Sequence, residues 1–307
     1  MRKLVVVTGG AGFIGSHLCE ELLRLGYAVR VLDNLTQGRR EWVPENAEFM
    51  EGDICDLAAC REACEGATGL FHLAAMSRVG PSLDNADVCT TNNVLGTQNV
   101  LMAARDARIP KVVYAGSSTY YGNQPPPHKE TMGGEFLNPY SLSKYVGEEY
   151  CLLFDRMYDL PTAIVRYFNV YGPRQPEVGA YALVMGIFLR QFALGQPLTI
   201  HGRGDQRRDF VHVRDAVAAT IAAFTGNVRR AVFNVGSGTN TSIQELADLI
   251  SSNQTYGPRR VGDAQDTLAD ISLTRAALKW APKVSIEDGL KELLDAFAPA
   301  THSAAAL

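Results

Sequence analysis

The segment Thr8-Gly9-Gly10-Ala11-Gly12-Phe13-Ile14-Gly15 constrains the fold more than any other part of the chain. It follows a β-branched apolar run, Leu4-Val5-Val6-Val7, and opens a pattern of helical period. Gly10, Gly12 and Gly15 fit a dinucleotide-binding fingerprint, while Gly9, Gly12 and Gly15 give a three-and-three spacing. In such a turn one glycine permits the reversal and another lets the backbone approach a pyrophosphate. The last allows close packing of helix on strand, with the phosphates facing the N–H groups of Phe13, Ile14 and Gly15. Asp33 stands eighteen residues after Gly15, at the end of the next apolar run. A carboxylate there accepts ribose hydroxyls and repels a 2′-phosphate, which predicts NAD rather than NADP. Arg39 and Arg40 lie too far beyond that strand end to reverse the preference.

Short β-branched runs then alternate with helical patterns. Strands are predicted at 4–8, 28–32, 48–50, 69–73, 111–115 and 162–166, and helices at 14–25, 57–65, 92–107 and 141–158. Such alternation implies parallel strands joined by right-handed crossovers. The fold class is α/β: a Rossmann-type doubly wound parallel sheet with a smaller mixed C-terminal substrate region. The cofactor part is expected over residues 1–168, with later elements near 209–235 packing back on it, and the substrate part over 169–300. The tail at 301–307, ending Ser303-Ala304-Ala305-Ala306-Leu307, reads as an expression-vector remnant.

With 29 basic and 33 acidic residues the formal charge is −4, which offers no electrostatic case for a nucleic-acid or membrane partner. No apolar run reaches the ~18 residues of a membrane span, and glycines interrupt the N-terminal run too early for a signal peptide, so a cytoplasmic protein is expected. The six cysteines lack the spacing of a metal site and are expected to be free thiols.

Tyr140 and Lys144 stand at i and i+4 behind Asn138-Pro139, a helix start. On one helix face an ammonium near a phenol favours the phenolate, and so brings a tyrosine base closer to neutral pH. Upstream, the strand through Val112 runs into Ser117, Ser118 and Thr119. Hydroxyls at the carboxyl end of such a strand are placed to bond a sugar oxygen, and Ser117 is the expected partner of Tyr140. Asp53 and Ile54 follow a further short strand and are expected at the adenine edge.

From about Lys3 to Leu294 the sequence resembles the extended short-chain dehydrogenase/reductases, within them the NAD-dependent epimerase/dehydratase family. The resemblance is carried by TGGAGFIGSHL, Asp33-Asn34, GDICD, FHLAA, NNVLGT, GSSTYYG, NPYSLSK, RYFNVYGPRQ, GRGDQRRDFVHVRD, FNVGSG and RRVGD. It implies that Asn34 joins Asp33 in binding the cofactor, that Leu73, Ala74 and Ala75 line the cofactor's phosphate–ribose path, and that Asn92 supports the nicotinamide side. It also implies a substrate set in which Asn169, Arg208 and Arg260 meet the sugar-nucleotide diphosphate and Asp263 the ribose. Thr267 would set the bulk of a pocket wall that faces C2, beside Ser118 and Thr119 near the sugar.

Family 4,6-dehydratases carry an Asp-Glu pair after the serine or threonine, where this chain has Ser118 and Thr119. Without those carboxylates, water elimination lacks its acid and base. The expectation is therefore a UDP-sugar 4-epimerase, for UDP-glucose/galactose or the N-acetylated pair, acting by transient C4 oxidation. Glucuronate epimerisation stays open, because Arg174 is retained although the extra cation of YGPRQRP is missing. A dehydratase, a non-catalytic NAD-binding regulator and an NADPH-linked reductase are the remaining alternatives. The helices at 92–105 and 141–157, the second with Val146, Tyr150, Leu153, Phe154 and Met157 at helical spacing, resemble the pair that forms a four-helix bundle in a homodimer.

Overall fold

A computed structural model of the protein describes residues 2–259 and 264–297. Arg260, Asp263 and the 301–307 tail lie outside the described residues. The chain begins β1 (Leu4–Thr8), α1 (Phe13–Arg24), β2 (Ala28–Asp33), β3 (Glu48–Glu51), α2 (Leu57–Cys64) and β4 (Leu70–His72). Two short helices, α3 (Val79–Asp84) and α4 (Ala86–Thr90), lead through a π-helical turn at Thr91–Leu95 into α5 (Gly96–Asp106). Next come β5 (Val112–Ser117), a 3₁₀ turn at Ser118–Tyr121, α6 (Pro139–Tyr158) and β6 (Thr162–Tyr167). The remainder comprises β7 (Asn169–Tyr171), α7 (Val184–Ala193), β8 (Leu198–His201), β9 (Arg207–Arg208), β10 (Phe210–His212) and α8 (Val213–Thr225). It ends with β11 (Ala231–Val235), β12 (Thr241–Ser242), α9 (Ile243–Ile250), β13 (Gln254–Gly257), α10 (Ser272–Leu278) and α11 (Ile286–Phe297).

Seven strands form one parallel sheet in the order β11-β6-β5-β4-β1-β2-β3. Strand side chains alternate between faces, so the valine run of β1 is divided. Val5 and Val7 join a core with α1 and α8, whereas Val6 joins one with α2, α5 and α6. Burial on both faces explains why these strands read as unbroken apolar runs. In the later part of the chain α8 covers the first face and β11 extends the sheet beyond β6. A separate core gathers α7, β8, α9 and α11 around Phe188, Leu246 and Leu290.

The order reverses between β4 and β1, and their carboxyl ends open the crevice where such sheets bind ligands. One predicted helix differs from expectation. The 92–107 segment begins as a π turn before it becomes α5, and a π turn rotates the side chains before it relative to those after it.

Candidate active site

The glycine turn is as tight as backbone allows. Gly9 has φ +72°, and a Cβ on it would lie 2.7 Å from the Ala74 nitrogen. A Cβ on Gly15 would lie 2.1 Å from the Gly9 carbonyl oxygen. Only glycine fits at either position, and the turn is thereby pressed against Leu73 and Ala74 at the end of β4. The contact is reinforced where the Ala74 N–H donates to Thr8 Oγ1 at 3.3 Å. Gly12 precedes α1 without a side-chain cap, which leaves the first N–H groups of the helix, those of Phe13, Ile14 and Gly15, open to an anion. The cradle therefore fits a dinucleotide pyrophosphate.

Asp33 ends β2 almost buried, and its carboxylate bridges the turn and the following loop. It accepts from Ala11 N at 3.0 Å and from Leu35 N at 2.8 Å. Burial pushes its carboxyl up, against the pull of those two N–H groups. Each oxygen keeps a lone pair for ribose hydroxyls. Next to it Asn34 donates to Asp53 Oδ2 at 2.8 Å, and Asp53 Oδ1 accepts from Cys55 N at 2.8 Å. Ile54 is buried against Gly96, where a Cβ would lie 2.6 Å from its Cδ1. Ala75 follows Ala74, half-buried on the same strand-end segment.

The catalytic candidates meet at the end of β5. Asn138 caps α6 by accepting from Ser141 N at 2.9 Å, with Pro139 in the first turn, so the helix starts where the Asn-Pro pair predicts. Tyr140 then lies against Ser117, whose hydrogen bond eases phenol ionisation, although burial raises the phenol overall. Ser117 Oγ is 2.9 Å from Thr119 Oγ1, and Ser118 is buried in the same turn.

Lys144 Nζ stands 4.2 Å from the centroid of the Tyr114 ring. Burial pulls its pKa down to about 8, opposed mainly by the Glu148 charge. Arg78, in the loop after β4, donates from Nε to Tyr181 O at 2.8 Å and from Nη1 to Ser77 O at 3.0 Å.

Asn92 faces the Asp53 loop, within 3.4 Å of Cys55 Sγ. The π turn brings Asn93 instead into the tyrosine helix. Its Nδ2 donates to Ser143 Oγ at 2.9 Å and to Met76 O at 3.0 Å, while its Oδ1 accepts from Met76 N at 2.8 Å. His72, beneath it, is held between Thr8 Oγ1 at 2.7 Å and Thr97 Oγ1 at 3.0 Å.

Of the substrate set, Asn169 and Thr267 are brought together, with Nδ2 to Oγ1 at 3.3 Å. Thr267 Oγ1 also accepts from Asp209 N at 3.3 Å. Arg208 lies on β9 and donates to Arg207 O at 2.9 Å. Arg174, the retained cation of the YGPRQ loop, turns to α1, where it donates to Ser16 Oγ at 3.1 Å and pairs with Glu20.

The UDP-glucose 4-epimerase of Mycolicibacterium smegmatis is 37% identical over 313 residues, 97% of this chain and 98% of its own length. A UDP-N-acetyl-alpha-D-glucosaminuronate decarboxylase of Bacillus cytotoxicus is 35% identical over 318 residues, 97% and 98% of the two chains. The structure superposes on UDP-glucose 4-epimerase of Thermotoga maritima, solved with UDP-glucose, at a TM-score of 0.93. The two share 34% sequence identity, and the match covers 96% of this chain and 98% of that one. Residues 5–236, from β1 through the strand that completes the sheet, match one family throughout, and the chain belongs to the NAD dependent epimerase/dehydratase family.

Proposed function

We propose that the protein is a UDP-sugar 4-epimerase of the UDP-glucose/galactose or UDP-N-acetylglucosamine/galactosamine type. The observation that carries this reading is the meeting of Ser117 and Tyr140 at the carboxyl end of the parallel sheet, followed by Ser118 and Thr119 rather than carboxylates. Bound NAD supplies the reversible oxidation at the sugar C4. Tyr140 would take the C4 hydroxyl proton and later return it, and Ser117 would hold the same oxygen. Lys144, on the same helix face, would favour the phenolate, and Asn93 holds that helix through Ser143. Net redox is zero, so the cofactor should stay bound.

The glycine turn, Asp33 and Asn34, Asp53 and Ile54, and the 73–75 segment form the proposed cofactor surface on residues 1–168. Asn169, Thr267, Arg208, Arg260 and Asp263 form the proposed nucleotide-sugar surface on residues 169–300. The two relatives and the superposed structure support a UDP-linked substrate. Arg174 is engaged by α1, so a uronate carboxylate is not the favoured C6 group.

A homodimer through α5 and α6 is also proposed. Leu142, Leu153 and Met157 share one face of α6 and are 47%, 38% and 63% exposed, a costly arrangement in a lone subunit. Six unpaired cysteines support a reducing, cytoplasmic setting.

Incubation with a panel of UDP-sugars, followed by proton NMR, tests the activity. Inversion at C4 and approach to a fixed mixture from either epimer is expected. Unchanged stereochemistry across the panel rejects the reading.

A further inference from the structure

The segment that carries Thr267 is bonded to two other parts of the chain. On one side Arg207 N donates to Gln265 O and Thr267 N donates to Arg207 O, both at 3.1 Å. On the other His128 N donates to Leu268 O at 2.7 Å, and Asp270 N donates to His128 O at 2.8 Å. His128 lies between the Ser118–Tyr121 turn and α6, so this second side ties the segment to the stretch that follows Ser118 and Thr119. A buried chain of side chains meets the same side, and its protons can be placed in one way only. Arg166 has donors alone, so the Tyr121 hydroxyl oxygen accepts from its Nη1 at 2.9 Å. The one proton of that hydroxyl is left for Asn234 Oδ1, 2.7 Å away. With its oxygen so engaged, the Asn234 amide turns Nδ2 to His128 O at 2.9 Å and to Asp270 O at 3.3 Å. Tyr121, His128 and Asn234 are each 0% exposed, so a bond lost there is not replaced from solvent.

We propose that Tyr121 is a positioning residue for the nucleotide sugar: its hydroxyl passes the fixed orientation of Arg166 to Asn234, and so sets the 265–270 segment, with Thr267, against the turn that carries Ser118 and Thr119. Arg166 is itself held by Glu148 on α6, 2.8 Å away, so the same chain of bonds reaches the helix that bears Tyr140. Tyr121 acts through Asn234 and the main chain of His128 and Asp270, and touches no ligand. The His128 ring stacks on Tyr121 with centroids 4.7 Å apart, a contact that the aromatic ring makes without its hydroxyl. Thr267 receives the effect because it stands between the residues bonded to Arg207 and those bonded to His128, with Asn169 Nδ2 3.3 Å from its Oγ1.

The inference rests on the proposed nucleotide-sugar surface, yet the linkage can be read without ligand or turnover. Tyr121→Phe removes the hydroxyl and keeps the stack on His128. In the NAD-loaded variant UDP should bind about tenfold more weakly, while NAD affinity changes by less than about twofold. With a UDP-sugar, KM should rise by a like factor and kcat should stay within about threefold, the sign of lost binding rather than lost chemistry. Placed on Thr267→Val, the same change should weaken UDP by less than about threefold, because both act on one contact. Amide exchange at His128 and Asp270 should speed by about tenfold or more relative to Val6 in β1, which separates a local release from general loss of stability. If the single variant does not fold, Tyr121→Phe with Asn234→Leu, which leaves no unpaired amide, repeats each measurement. Unchanged UDP affinity in a folded variant overturns the proposal. So does an undiminished effect on the Thr267→Val background, or exchange at His128 and Asp270 that only keeps pace with Val6. A wild type that binds no UDP rejects the substrate reading, and faster exchange at His128 and Asp270 in the variant would then leave the linkage standing.

Discussion

Glu148, one helical turn beyond Lys144, closes a two-pronged ion pair with Arg166 on β6, with Arg166 Nη2 2.8 Å and Nε 3.0 Å from Glu148 Oε2. The two side chains are 2% and 5% exposed. Arg166 also donates to Tyr121 Oη at 2.9 Å and lies 3.7 Å over the Tyr120 ring. The pair thereby joins the helix that carries Tyr140 and Lys144 to the turn that carries Ser118 and Thr119. It also places a negative charge where it opposes the depression of Lys144.

Removal of one partner leaves the other charge buried. Glu148→Gln should destabilise the protein by roughly 3 kcal/mol or more, because Arg166 loses its counter-ion in a dry site. The Lys144 amine should also lose its proton at lower pH than before. Thermal melting and the alkaline limb of the pH–rate profile measure the two effects. If the melting temperature falls and the limb stays where it was, Glu148 supports the fold alone.

Tyr140→Phe removes the proposed proton acceptor and keeps the aromatic ring. Turnover should drop by roughly 10²-fold or more, with NAD bound as before. A variant that inverts C4 near the wild-type rate would falsify the assignment of the base.

Asp33→Ala takes an acceptor from the proposed ribose site and the acceptor of Ala11 N and Leu35 N at once. NAD affinity should fall by about tenfold, given ~1.5 kcal/mol for a hydrogen bond to a charged group, and the preference over NADP should narrow. Titration of both cofactors into cofactor-free protein decides it. Equal loss for both would mean that Asp33 shapes the turn without reading the ribose.

Acid sensitivity follows from His72. Burial, aided by the Lys144 charge, lowers its pKa from 6.5 to about 3. Thr97 Oγ1 donates to Asn93 O and so accepts from Nε2 of His72, which leaves Nδ1 to accept from Thr8. The folded chain thus holds a neutral imidazole that the unfolded chain protonates below pH 6.5. Stability from this group is complete above that pH and declines as pH falls towards 3, by up to ~1.4 kcal/mol per unit. His72→Gln can keep both threonine bonds without titrating. The loss of melting temperature between pH 7 and 5 should be smaller in the variant, and an unchanged loss would exclude His72 as its source.

Much of this site was legible because its parts are local. The glycine turn, Asp33 after the next strand, and Tyr140 with Lys144 on one helix face all depend on spacing within a single element. The strand ends agreed closely, and β5 extends to Ser117 itself. The rest depended on the third dimension. The π turn at 91–95 adds a residue to one helical turn, and so Asn93 rather than Asn92 faces Ser143. Arg78 meets Tyr181 O far along the chain, and Arg174 meets Ser16 and Glu20 on α1, contacts that no local spacing shows. Glu148 had a local signal, four residues after Lys144, but its partner Arg166 lies on the next strand of the sheet.

The choice between inversion and other chemistry at the same site comes down to the groups beside Ser117. Dehydration of a 4-keto sugar needs an acid at the C6 hydroxyl and a base at C5, and the residues that follow Ser117 are Ser118 and Thr119. Neither hydroxyl ionises usefully near neutral pH, and Thr119 Oγ1 is already bonded to Ser117 Oγ. Re-reduction at C4 should therefore outrun loss of water. With UDP-glucose or UDP-N-acetylglucosamine the product mass should equal the substrate mass, and no added NAD should be consumed. A product lighter by one water would require an acid from outside the Ser117–Tyr121 turn. Loss of carbon dioxide from a UDP-linked uronate, the chemistry named for the Bacillus cytotoxicus relative, would show as a different and larger mass change. The unchanged mass is expected because the hydride taken from C4 and the proton that Tyr140 is proposed to take from its oxygen would both return before the sugar leaves.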